Sequence, residues 1–153
     1  MTKCPTCQQD VKADRSSQDH RRFFGLIAAA FHHWPESHEF TPDNPESLRA
    51  WLLCKAGYCE RTSIDCEWAD NAAAPGYAKL VAIACEATMR ASKGQGFIRV
   101  HGDRIVVFSP KSIAWDKIGQ KAFNEVRDAV SAVIEQELGI GADTLLKEHE
   151  AAA

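Results

Sequence analysis

Apolar residues recur at helical spacing through Phe23, Phe24, Ile27, Phe31 and Trp34, which predicts a helix from about Ser17 to Trp34. Ser16 or Ser17 supplies an N-cap and Pro35 a stop. Gly25 inside this helix costs about 1 kcal/mol relative to alanine, an expense expected where a neighbouring backbone packs close. A second helix opens with three coincident start signals: Asn44 as cap, Pro45 at the first helical position and Glu46 at the positive dipole end. It carries Leu48, Trp51, Leu52 and Lys55 on one face and stops near Gly57. A third helix is predicted from Tyr77 to Ser92, with Leu80, Val81, Ala84, Cys85 and Thr88 as its apolar stripe. The strongest amphipathic pattern runs from Gln120 to Leu138, with Phe123, Val126, Val130, Val133, Ile134 and Leu138 inward. Gly139 followed by Ile140 suits a left-handed C-cap, and a short polar helix follows from Ala142 to about Glu148.

Two β-branched and aromatic runs, 97–101 and 104–108, flank Gly102-Asp103 and predict a β-hairpin. Thr62, Ile64 and Cys66 alternate as in a third short strand. The pattern as a whole is α+β: four to five helices packed on a small antiparallel sheet containing the hairpin near 97–108. Residues 1–14 form a Cys-containing leader without apolar periodicity, either mobile or zinc-binding, and residues 15–150 form a single domain.

Composition narrows the picture. With 153 residues, 45% apolar and 25% charged, the chain is long enough to bury a core of its own. Its formal charge of −3 excludes a uniformly polycationic nucleic-acid binder, so any such surface is a local patch. No apolar run approaches the roughly 20 residues that span a bilayer, so no membrane partner is expected. The opening Met-Thr-Lys-Cys-Pro lacks an apolar h-region, and a cytoplasmic location is the default expectation.

Six cysteines without an export signal point away from a disulfide framework. Cys4-Pro5-Thr6-Cys7 has the spacing of half a zinc knuckle, and a closed structural zinc site needs four ligands. Cys59 and Cys66 are the candidates for the other two, although their separation is not a standard second pair, with His20, His32, His33 and His38 as alternatives; a leader that binds nothing is the competing reading. His32, His33 and His38 read as solvated residues around the proline turn rather than as a metal cluster, because no H-E-x-x-H spacing appears. Asp65, Glu67 and Asp70 are close enough in sequence to suggest a metal-dependent nuclease, but a charged solvated edge explains them equally. No nucleophile elbow is present, and Gly94-Gln95-Gly96 does not open a helix, as a dinucleotide fingerprint would.

The basic residues are more suggestive. Arg15, Arg21 and Arg22 gather at the start of the first helix, Arg49 lies on the second, and Lys93, Arg99, Arg104 and Lys111 flank the hairpin. Arginine forks match phosphate geometry. Exposed rings for base stacking would come from Trp68 or Trp115.

Arg15-Ser16 followed by Arg21-Arg22-Phe23-Phe24 resembles the motif that opens the main helix of phage recombination-mediator proteins of the Orf/NinB type, and of related uncharacterised phage proteins. Glu46-Ser47-Leu48-Arg49 is similar to that family's Glu-Ser-aromatic-basic step, and Phe97 to Phe108, Ser112, the 123–138 helix and Gly139-Ile140 follow in the same order. The likeness spans about 15–140 and leaves out the cysteine leader and residues 58–76. It implies a non-enzymatic accessory protein of DNA recombination, a homodimer that binds single-stranded or branched DNA alongside a host single-strand-binding protein. The alternative is a phage protein-interaction module that inhibits or recruits a host complex.

Overall fold

The structure is a computed structural model that describes residues 17–65, 74–91, 96–114 and 116–152. Among these residues the chain forms five helices and three strands. In order they are α1 (Ser17–His32), α2 (Pro45–Lys55), β1 (Cys59–Asp65), α3 (Ala74–Ala91), β2 (Phe97–His101), β3 (Arg104–Pro110), α4 (Gln120–Leu138) and α5 (Ala142–Ala152). This is an α+β fold, as the hydrophobic pattern predicts. Among the described residues no helix is long and apolar enough to cross a membrane. The cysteine leader, Arg15, Cys66, Trp68, Lys93 and Trp115 lie outside the described residues.

The chain divides into two compact units, one made of Met1–Leu48 together with Ser112–Ala153 and the other of Arg49–Lys111. In the first, α1, α4 and α5 pack on one another. Phe23, Leu26 and Ile27 of α1, Phe123, Val130 and Ile134 of α4, and Leu145 of α5 are buried. The Phe23 and Phe123 rings meet edge to face at 5.5 Å, an arrangement that adds about 0.5–1.5 kcal/mol to their area burial. α1 ends at His32, just short of the expected Trp34, because Trp34 N–H already closes a tighter turn on the Phe31 carbonyl and Pro35 follows. Gly25 faces a side chain rather than a backbone: a Cβ there would meet Leu146 of α5 at 3.6 Å, an ordinary contact. α4 closes on Gly139 in the left-handed conformation, φ 67°, whose N–H donates to the Glu135 carbonyl.

α2 begins as its start signals require. Asn44 Oδ1 accepts from Ser47 N–H at 2.9 Å, and Ser47 Oγ accepts from Asn44 N–H at 3.2 Å, a reciprocal capping box. The helix ends in a Schellman motif: Gly57 is left-handed at φ 82°, Tyr58 N–H donates to Leu53 O and Gly57 N–H to Cys54 O.

In the second unit the strands are ordered β1-β3-β2, all antiparallel, with β3 central. Their register sorts the side chains onto two faces. One carries Thr62, Val107 and Ile98 on one rung, then Ile64, Ile105 and Val100 on the next. α3 covers this face with Ala78, Ala82 and Val81. The expected α3 stripe is therefore rotated: Leu80 is 69% exposed, while Ala78 and Ala82 are buried. Small residues let the helix approach a sheet face already filled by isoleucine and valine. Close packing recurs at Gly96, where a Cβ would lie 2.5 Å from the Phe108 carbonyl oxygen and 2.8 Å from Met89.

Candidate nucleic-acid interface

The opposite face of the sheet is built from the alternate residues of the same strands. Its first rung aligns Arg61, Phe108 and Phe97; the second Ser63, Val106 and Arg99; the third Asp65, Arg104 and His101. Rungs two residues apart are spaced by about 7 Å, on the scale of one nucleotide step. Arg61, Ser63, Arg99, His101 and Arg104 are exposed, Phe97 and Phe108 are half-buried, and Val106 is buried as part of an apolar floor. The Arg61 guanidinium lies 5.3 Å from the centre of the Phe108 ring, a cation–π contact that leaves the charge at the surface. Arg104 Nε donates to Asp65 at 2.6 Å, with both side chains about half exposed. Among the described residues this face carries three arginines, Arg61, Arg99 and Arg104, and one carboxylate, Asp65.

Two of the residues singled out from sequence, Arg99 and Arg104, are thus brought onto one surface. Arg61 was missed, and the signal for it is its alternation with Ser63 and Asp65 on a strand recognised only through Thr62 and Ile64. Asp65, a candidate nuclease carboxylate, is engaged by Arg104. In the same unit Lys111 is exposed, with its ammonium 5.9 Å from the Tyr58 ring centre, and Arg49 is half-buried on α2.

In the first unit, Arg21 is exposed on α1. Arg22 is paired with Asp143 of α5. A cleft of about 520 Å³ opens here, lined by Asp19, Arg22, Arg127, Asp128, Glu135 and Asp143 among others. Its charges are matched internally: Arg127 binds Asp128 at 2.9 Å and lies 3.8 Å from Asp19, and Glu135 accepts from Ala142 N–H at 3.0 Å. Four carboxylates against two arginines make it a poor host for phosphate.

His32 and His33 are exposed as expected, but His38 is not a solvated residue. Its Nδ1 accepts from Phe40 N–H at 2.9 Å, and Nε2 reaches Glu137 at 3.1 Å. The Trp34 ring meets it at 4.7 Å, tilted by 60°, and Trp34 Nε1–H donates to the Phe40 carbonyl. His38 Nδ1 also lies 3.1 Å from the Phe40 carbonyl, so the ring is held from both nitrogens. The cluster fixes the turn after α1.

Of the four zinc candidates, Cys4, Cys7 and Cys66 lie outside the described residues. Cys59 is half-buried at the start of β1, with its thiol 3.9 Å from the Cys54 carbonyl. Burial, and then the adjacent Cys59, pushes the Cys54 thiol up to about 12, so it is a neutral thiol at physiological pH. Among the described residues no group of three or more His, Cys, Asp or Glu side chains is placed to hold a metal ion. Comparison with protein-family models, curated proteins and solved structures finds no match to this chain.

Proposed function

We propose that the protein is a non-enzymatic DNA-binding accessory factor of phage-type recombination, and that it takes single-stranded DNA on the outer face of the β1-β3-β2 sheet. The observation that supports this reading is the row of Arg61, Arg99 and Arg104 beside the Phe97–Phe108 pair. Arginines follow the phosphates, and half-buried rings offer platforms to unstacked bases, which a duplex keeps inside its stack. Arg49, Lys93 and Lys111 are further phosphate contacts in the same proposal, whereas Arg15, Arg21 and Arg22 are candidates through the sequence resemblance alone and are not assigned to this face. The sequence resemblance adds a homodimer as the working form and a host single-strand-binding protein as helper. A structural zinc on Cys4 and Cys7 belongs to the proposal too, and metal analysis of the purified protein tests it.

Fluorescence anisotropy with labelled single-stranded and duplex oligonucleotides across a salt series tests the interface. Affinity for the single strand should fall steeply with salt, and Arg61→Ala/Arg99→Ala should flatten the logarithmic slope by about 1.4, roughly 0.7 per lost phosphate contact. Absence of binding at low salt overturns the function. Binding with an unchanged slope in the double variant overturns the sheet face as its site.

A further inference from the structure

We infer that Cys54 and Cys59 form a redox-active dithiol, which exchanges with a small disulfide of the glutathione class and closes to an intramolecular disulfide across the α2–β1 turn. The inference stands apart from DNA binding. Cys54 lies in the last turn of α2 and Cys59 opens β1. Backbone hydrogen bonds hold the turn between them. Tyr58 N–H donates to Leu53 O at 2.8 Å, Gly57 N–H to Cys54 O at 3.1 Å, and Lys111 N–H to Tyr58 O at 3.2 Å. Gly57, left-handed at φ 82°, lets the chain reverse and start β1 beside the end of α2. Cys59 is fixed further by its pairing with Pro110 of β3. Its thiol therefore faces its neighbour: Cys59 S–H donates to the Cys54 carbonyl at 3.9 Å, and the two thiols are hydrogen-bonded to each other. Both are half-buried, so neither is sealed inside the core.

The two thiols are not equivalent. Burial, then a charge on Cys59, then the hydrogen bond to it push Cys54 up to about 12. Cys54 thus keeps its proton when Cys59 ionises, and its S–H is the donor to the charge that forms. Cys59 is accordingly the attacking thiol and Cys54 the resolving one. In the first step the Cys59 thiolate attacks one sulfur of oxidised glutathione. The glutathione S–S bond breaks, a mixed disulfide forms on Cys59, and one glutathione leaves as thiolate and takes up a proton. Capping Cys59 removes both the charge and the hydrogen bond that kept Cys54 protonated, so Cys54 then ionises more easily. Its thiolate attacks Cys59 Sγ, the Cys54–Cys59 bond forms, and the second glutathione leaves. Two protein thiols are oxidised to one disulfide, and one glutathione disulfide is reduced to two thiols. Under a reducing glutathione poise the pair stays open, and it closes as the poise becomes oxidising.

Peptide mapping of the full chain tests this. Trypsin cuts after Arg49, Lys55 and Arg61, which puts Cys54 and Cys59 on separate peptides, 50–55 and 56–61. The protein is equilibrated with oxidised and reduced glutathione over a series of ratios, quenched with acid, alkylated, digested and read by mass spectrometry. The expected result is that the two peptides become joined as the share of oxidised glutathione rises, and that dithiothreitol separates them. Cys54→Ser should trap Cys59 as a mixed disulfide with glutathione, whereas Cys59→Ser should lower glutathione uptake at Cys54 by about tenfold or more relative to that. Peptides 50–55 and 56–61 that stay unlinked in the oxidised protein, or that link to other cysteines of the chain instead, overturn the dithiol. Uptake at Cys54 in Cys59→Ser equal to that at Cys59 in Cys54→Ser overturns the order of attack.

Discussion

Two glycines with the same side chain have opposite roles. Gly25 sits within α1 where a methyl group would meet only Leu146 at an ordinary distance, so Gly25→Ala removes an entropic cost and fills space. It should raise stability by about 0.5–1 kcal/mol, read as a higher denaturant midpoint with an unchanged slope. Gly96 faces the Phe108 carbonyl, and the same change there forces β3 away; Gly96→Ala should lower stability by about 1–3 kcal/mol in the same measurement. The sequence shows both glycines but not which is compelled, since that depends on an atom contributed from elsewhere in the chain. His38 has the same limit: its neighbours in sequence are polar, and only folding brings Glu137 to it.

Elements defined by local signals were legible, and those defined by remote partners were not. The α2 start was readable because Asn44, Pro45 and Glu46 act within one turn. Asn44→Ala should cost about 1 kcal/mol and increase fraying of the first turn, seen as faster amide exchange at Ser47 and Leu48. The β2–β3 hairpin was readable from Gly102, which takes φ 62°. β1 gave a weaker signal because Glu60, Arg61, Thr62 and Ser63 carry no apolar alternation; pairing with the distant β3 makes them a strand. For α3 the choice of face was misread. Leu80 outweighs Ala78 and Ala82 in hydrophobicity, but the space between helix and sheet admits alanine, while Val81 of the expected stripe does pack there. Arg61, the site residue missed from sequence, followed from the same weakness in β1.

At the scale of the whole molecule, the candidate site belongs to one unit, a layered structure with α3 on one face of the sheet and the arginine row on the other. The order in which the chain is made adds a consequence. Arg49–Lys111 is continuous, whereas the other unit needs α1 from before it and α4 and α5 from after it. As the chain leaves the ribosome, the sheet can close while Phe23 still lacks Phe123. Local pairing also makes the hairpin the quicker step in refolding. Pulse-labelled hydrogen exchange should show protection at Val106 and Val107 before Leu26 and Ile27, and the reverse order would contradict this sequence of events. For as long as α1 waits, its phenylalanines are the exposed surface that a chaperone would recognise.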